Sequence, residues 1–282
     1  MSRLTVLRAF SRLAKLAEAS KIGWLPRAGR RILERVPWSV SIRKGSFTFF
    51  GYPEHWTYLN GLLKGLSEDF RVQIFSSAIQ PDSVVLDIGA YIGRFSLEAA
   101  LSTGPGGKVY SFEPDPRNHR ALVLNVNRNS MGDVVVVSPS AVSDRDGKSS
   151  FQIAEWPHCG GTLGGTSSRR ALVVDCVAID SVLSVDEKIH AVKMDVEGAE
   201  VRALRGMERT LVNSLPNVTM MVECNPPKLL SAGESPHTLL RILKDFGFGI
   251  SLIDETNKTL RELRSEKEIE SFKGFLYAVG SS

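Results

Sequence analysis

From Ser83 onward the chain alternates between short apolar runs and longer amphipathic stretches. SVVLDIG (83–89) predicts a strand, and residues 92–103 the helix that follows it. KVYSFEP (108–114) and PRNHRALVLNVNRN (116–129) repeat the pair, with Pro116 suited to a first helical turn. DVVVVSPS (133–140), HAVKMDVEG (190–198), VTMMVECNP (218–226), GISLID (249–254) and FKGFLYAVG (272–280) read as further strands. Helices are expected over AEVRALRGMERTLVN (199–213) and HTLLRILKDFGF (237–248). Two β-like pieces, 149–155 and 171–179, flank a glycine-rich stretch at 158–168 that reads as a mobile loop. Strands alternating with helices imply βαβ crossovers. The expected fold class is α/β and Rossmann-like, a mostly parallel seven-stranded sheet with helices on both faces. Ligands of such sheets bind outside the carboxyl ends of the strands.

Upstream the pattern changes. Residues 46–80 form a lead-in, with SFTFF (46–50) as a short strand and helices over 54–66 and 67–79. Aromatic side chains cluster here, suited to burial against the core or to a cap over a ligand. Residues 1–20 place leucines at helical spacing with arginines between them, a basic amphipathic helix. Within 1–45 eleven Lys/Arg face two acids, a net +9, so the remainder carries −5 of the total +4. The domain division expected is therefore 1–45, a basic helical extension, and 46–282, the Rossmann-like domain. The extension suits packing on its own domain, peripheral contact with an anionic membrane, or organelle import. Few aromatics interleave the basic run, so no nucleic-acid partner is predicted.

Three scattered cysteines with no CxxC pair argue against a disulfide framework and against a zinc site. A reducing cytoplasm is the expected compartment. No run of about 18 apolar residues predicts a membrane-spanning helix.

The candidate chemistry lies at the strand ends. In DIGAYIG, Gly89 follows the strand directly and Gly93 opens the helix. A glycine there lets backbone approach a ligand closely, and the helix N-terminus points free N–H groups into the cleft. The G-x-G of a dinucleotide loop is absent. Asp87 can hold the loop amides or pair with a cationic ligand, and it would serve a pyrophosphate poorly. Glu113 ends the second strand, where a carboxylate accepts both hydroxyls of a ribose diol. Glycine loop, Asp87 and Glu113 together describe a site for adenosine carrying a cationic amino-acid tail, which is S-adenosylmethionine. Asp195 and Glu223 end strands expected to be neighbours, about 4.8 Å apart. Two close carboxylates raise one another's pKa, and one then suits a general base. Glu200 reads as a helix-stabilising acid, and His158 is the histidine retained as a pocket candidate. Asp195, Glu197, Glu223 and Asn225 offer oxygen ligands that suit Mg²⁺, but their spacing does not define a site and no metal is predicted.

Four strings, VVLDIGAYIG (84–93), VYSFEPDP (109–116), SPSAVSD (138–144) and VKMDVEGAE (192–200), resemble the FkbM family of class I methyltransferases. The resemblance covers roughly residues 45–280, with Tyr91 where the family usually has asparagine. It implies that Asp87, Gly89, Ala90 and Gly93 line the methionine and ribose part of the cofactor and that Glu113 binds the ribose hydroxyls. It also implies Ser140 and Ala141 near the adenine. The expected activity is methyl transfer from S-adenosylmethionine to a hydroxyl of a small molecule or sugar, with Asp195 and Glu223 as catalytic residues. Two rivals stand beside it: a nicotinamide-dependent oxidoreductase, which Glu113 would serve equally well, and a non-catalytic cofactor-binding module tethered by its basic N-terminus.

Overall fold

The computed structural model describes residues 40–65, 68–153, 161–163 and 171–281. Residues 1–39 of the basic extension, most of the glycine-rich stretch and His158 lie outside the described residues. From Ser41 onward the described residues pack as one compact unit.

The unit opens with a hairpin of β1 (Val40–Lys44) and β2 (Phe47–Gly51), of which β1 is hidden in the sequence by its charged neighbours. The helices α1 (Trp56–Lys64) and α2 (Asp69–Ser77) follow. Then come β3 (Val84–Ile88), α3 (Arg94–Thr103), β4 (Lys108–Phe112), α4 (Pro116–Arg128) and β5 (Val135–Ser138). Asp115 caps α4 by accepting the Arg117 N–H at 2.9 Å, with Pro116 in the first turn.

Next in the chain stand β6 (Ala141–Val142), β7 (Gly147–Ile153), β8 (Gly161–Leu163), β9 (Ala171–Val177) and the short helix α5 (Ile179–Val182). β10 (Ala191–Met194), α6 (Glu200–Arg205), α7 (Glu208–Ser214), β11 (Thr219–Cys224) and α8 (Pro226–Ser231) lead to α9 (Pro236–Asp245). The chain finishes with β12 (Phe248–Asp254), β13 (Thr259–Glu262) and β14 (Gly274–Gly280).

The main sheet has eight strands in the order β13-β12-β14-β11-β10-β3-β4-β5. β11, β10, β3, β4 and β5 run parallel, and β14 is antiparallel to both β11 and β12. Seven of these strands match the expected sheet. The eighth, β13, extends the edge through a hairpin with β12. The pieces around the glycine-rich stretch do not enter this sheet. They form a second, four-stranded one, β6-β9-β7-β8, with its own small core of Ala141, Phe151, Leu163 and Cys176.

Alternation along the strands covers both faces of the main sheet. Leu86, Ile88, Val192, Met194, Met220 and Val222 pack in one apolar cluster with residues of α6, α7 and α9. The opposite face meets α3, whose Phe95 stacks edge-on against Phe75 of α2 at 5.7 Å. The helix expected over 199–213 breaks at Gly206, where the chain passes so close to the Ser143 carbonyl oxygen that a Cβ would lie 1.9 Å from it. Asp180 restarts it by accepting the N–H groups of Arg209 and Thr210. Among the described residues no helix is long and apolar enough to cross a membrane.

Side-chain amides dock the hairpin on α4. Asn125 accepts the Phe50 N–H at 2.6 Å and donates to the Phe50 carbonyl at 2.9 Å. Asn129 repeats the exchange with Thr48 at 2.9 and 3.0 Å. These amides stand where a neighbouring strand would.

Candidate active site

At the carboxyl ends of β3, β4 and β10 a cleft of ≈ 370 Å³ opens, within the range of small-molecule sites, roughly 300–1,000 Å³. Its floor is the turn after β3. Gly89 and Ala90 both donate to the Phe112 carbonyl, at 3.0 and 2.9 Å, which pulls the turn tight against β4. Gly89 has φ 81, and a Cβ on it would lie 1.9 Å from the Asp195 carbonyl oxygen. Only glycine lets this turn pass so close to the end of β10.

Of the nine residues given a cofactor or catalytic role from sequence, six line the cleft: Gly89, Ala90, Glu113, Ser140, Ala141 and Asp195. Asp87, Gly93 and Glu223 stand behind them. Asp87 is fully buried beneath the turn. Register places Lys193, Asp87 and Ser111 side by side on β10, β3 and β4. The Ser96 hydroxyl donates to Asp87 Oδ2 at 2.6 Å, Ser111 donates to Ser96 at 2.9 Å, and Lys193 Nζ lies 3.5 Å from Asp87 Oδ1. Gly93, with φ 93, begins α3 and packs toward Leu122 of α4.

Lys193 is the residue that sequence reading missed. It lines the cleft with 4% exposure, and its ammonium donates to the Gly89 carbonyl at 2.6 Å. Burial works to lower its pKa, but Asp87 first and then Asp195 outweigh it and the net shift is upward. Lys193 is thus a buried cation that ties the glycine turn to β10. A lysine alternating with apolar residues in AVKM was the available signal.

Glu113 projects into the cleft from the end of β4. Oε2 accepts the Tyr91 N–H at 2.8 Å; Oε1 accepts the Asp115 N–H at 2.9 Å and the Asn118 amide at 3.3 Å. Burial pushes its pKa up to about 7 despite these donors. Ser140, Ala141 and Val142 continue the wall beyond Glu113, facing Phe151 and Leu163 of the small sheet.

Asp195 and Glu223 follow directly on the paired residues Met194 and Val222. Burial, then the nearby Asp195 and Glu200, push the Glu223 carboxyl up to about 8, and it shares a hydrogen bond with Asp195. Near neutral pH the Glu223 carboxyl therefore keeps its proton. Lys228 lies 3.4 Å from Glu223 and also pairs with Glu197. Glu200 accepts the N–H groups of Val196 and Gly198 at 3.1 and 3.2 Å, holding the turn that presents Asp195. Burial pushes its carboxyl up to about 7. Among the described residues no group of three or more His, Cys, Asp or Glu is arranged to hold a metal ion. The lead-in closes the remaining side: Tyr58 of α1 packs edge-on to Tyr91 at 5.0 Å and donates its hydroxyl to Glu68, while Arg94 pairs with Asp69.

A glycine turn, a carboxylate at the next strand end and apolar walls beyond it match an adenosine with a polar, cationic tail. Together with five parallel strands and an antiparallel β14, they define a class I methyltransferase that uses S-adenosylmethionine. The profile of the family described as "Methyltransferase FkbM domain" matches residues 87–250, more than half of the chain, and the chain belongs to that family. Hexuronic acid methyltransferase AglP of Haloferax volcanii is 24% identical over 208 residues, 73% of this chain and 78% of that protein. 2-O-methyltransferase NoeI of Sinorhizobium fredii is 29% identical over 164 residues, 50% of this chain and 64% of that protein. The solved O-methyltransferase of Bacillus cereus in complex with SAH superposes with a TM-score of 0.46 at 14% identity, covering 90% of this chain and 97% of that one. Membership in a methyltransferase family leaves the nicotinamide reading without support.

Proposed function

We propose that this enzyme methylates a hydroxyl group of a sugar or similar small polyol. One observation carries the reading: Asp195 and Glu223 stand at adjacent strand ends, with Asp195 lining the cofactor cleft. S-adenosylmethionine supplies an activated methyl group, so the protein must chiefly position the acceptor and receive its proton. Asp195 lines the cleft and is the group that takes the hydroxyl proton as the new C–O bond forms. Glu223, protonated near neutral pH, hydrogen-bonds Asp195 and keeps the second carboxylate charge out of the pair. Glu200 holds the turn from which Asp195 projects.

Two further observations bear on the acceptor. The cations at and beside the cleft are committed to carboxylates: Lys193 to Asp87, Arg94 to Asp69 and Lys228 to Glu197. That arrangement favours an uncharged acceptor over an acidic one. Tyr58 and Tyr91 give an aromatic wall beside the acids, which suits a sugar ring. Relatives whose names specify a hexuronic acid and a 2-O position support a sugar hydroxyl, although the first of these sugars is itself acidic, so charge is decided by the acceptor panel.

Labelled methyl transfer to a panel of neutral and acidic sugars tests the proposal. Asp195→Asn is expected to lower kcat about 10²- to 10⁴-fold, the contribution of a positioned base, with cofactor affinity kept. Full turnover by both Asp195→Asn and Glu223→Gln would remove the pair from the chemistry.

A further inference from the structure

A line of buried polar side chains runs from the lead-in to the carboxylate of Glu113. His55 closes the turn before α1 and is 0% exposed. Its Nδ1 accepts the Tyr52 N–H at 3.0 Å, so the ring proton sits on Nε2. Nε2 lies 3.2 Å from Asn118 Oδ1, and it is the donor of that pair. Burial, the largest influence, lowers the His55 pKa, which keeps the ring in this neutral tautomer. Asn118 on α4 is 2% exposed and passes the link on, donating Nδ2 to Glu113 Oε1 at 3.3 Å.

An asparagine amide has two ends of opposite hydrogen-bonding character. Turned over, Asn118 would present its oxygen to the Glu113 carboxylate. Two acceptors would then face each other in a buried site, a costly arrangement. The His55 N–H can donate only when Oδ1 points toward it, and Nδ2 then points toward Glu113. We infer that His55 is a positioning residue for cofactor recognition: by fixing the Asn118 amide, it holds the Glu113 carboxylate in the orientation that receives the two ribose hydroxyls. The inference rests on Glu113 as the ribose-binding carboxylate. It makes the lead-in part of the cofactor site, although the two segments lie 63 residues apart along the chain.

Two substitutions separate this role from a local one. Asparagine at 55 can still accept the Tyr52 N–H but is too short to reach Asn118. Glutamine reaches Asn118 with its amide and gives up the Tyr52 contact. Affinities of the full chain for S-adenosylhomocysteine and for its 2′,3′-dideoxy analogue would be measured by calorimetry, with thermal unfolding alongside. The wild type is expected to prefer the ligand with the diol. His55→Asn should weaken binding of that ligand by about fivefold, the fold-change of one net hydrogen bond, and leave the dideoxy analogue unchanged. His55→Gln should keep the wild-type preference. If the wild type does not distinguish the ligands, the ribose role of Glu113 falls and the relay with it. If the wild type does distinguish them and His55→Asn does so equally, the relay alone is wrong. Should His55→Asn not fold, Asn118→Leu cuts the same link from its other end and must reduce the same preference; unchanged preference there overturns the inference.

Discussion

Replacing Glu223 by glutamine removes a proton that the folded chain holds and the unfolded chain does not. In the folded state burial and the neighbouring Asp195 and Glu200 push this carboxyl from 4.5 to about 8. Between those values the unfolded state binds fewer protons than the native one, so stability falls as pH rises. The contribution is fully present below about 4.5 and gone above about 8. Within the window the slope is about 1.4 kcal/mol per pH unit for one proton. From pH 5.5 to 7.5 the wild type should therefore lose roughly 2–3 kcal/mol through this group alone. The raised carboxyl of Glu113 adds its own slope, but this is common to both proteins and cancels in the difference. Glutamine can still donate to Asp195, so the variant should fold. Urea denaturation at pH 5.5, 6.5 and 7.5 provides the assay. The wild-type curve should steepen relative to Glu223→Gln by the stated amount. Parallel stability profiles across that range would show that Glu223 releases its proton in the folded state well below pH 8 and would refute the reasoning.

Gly89→Ala should destabilise the fold by about 3 kcal/mol, because the new methyl would meet the backbone oxygen of Asp195 at 1.9 Å and φ is 81. Denaturant titration checks this, and a loss under about 0.5 kcal/mol, ordinary for a surface change, would contradict the close approach. Glu113, pushed up to about 7 by burial, must be ionised to accept both ribose hydroxyls. Affinity for S-adenosylhomocysteine should thus fall roughly tenfold per unit below pH 7 and level off above it; Glu113→Gln should bind weakly at every pH, and a wild-type Kd constant from pH 5.5 to 8 would refute the assignment.

Elements and strand ends were legible because they depend on local pattern. The alternation from Ser83 onward located β3, β4, β10 and β11, and strand-end chemistry then brought Gly89, Glu113 and Asp195 to one cleft. What escaped depends on register between distant strands. Lys193 meets the Gly89 carbonyl across 104 positions of sequence, and nothing near it in the chain announces that partner. Asp87 illustrates the same limit. Its sequence position suggested a ligand contact, whereas cross-strand pairing with Lys193 and Ser111 sets it beneath the turn. β7 and β9 carry the alternation of half-buried strands, which does not say which sheet they join. His55 looked like an ordinary lead-in residue, since its partners Tyr52 and Asn118 lie on a turn and on a remote helix.

The amides of Asn125 and Asn129 have a consequence outside catalysis. β2 reads FTFFG, an aromatic and β-prone segment of the kind that templates intermolecular pairing when its edge is bare. One edge is occupied by β1 and the other by two side chains of a helix, so no further strand can be recruited there. The helix thereby acts as a guard against self-association, sealing with two carboxamides what a sheet would seal with another strand.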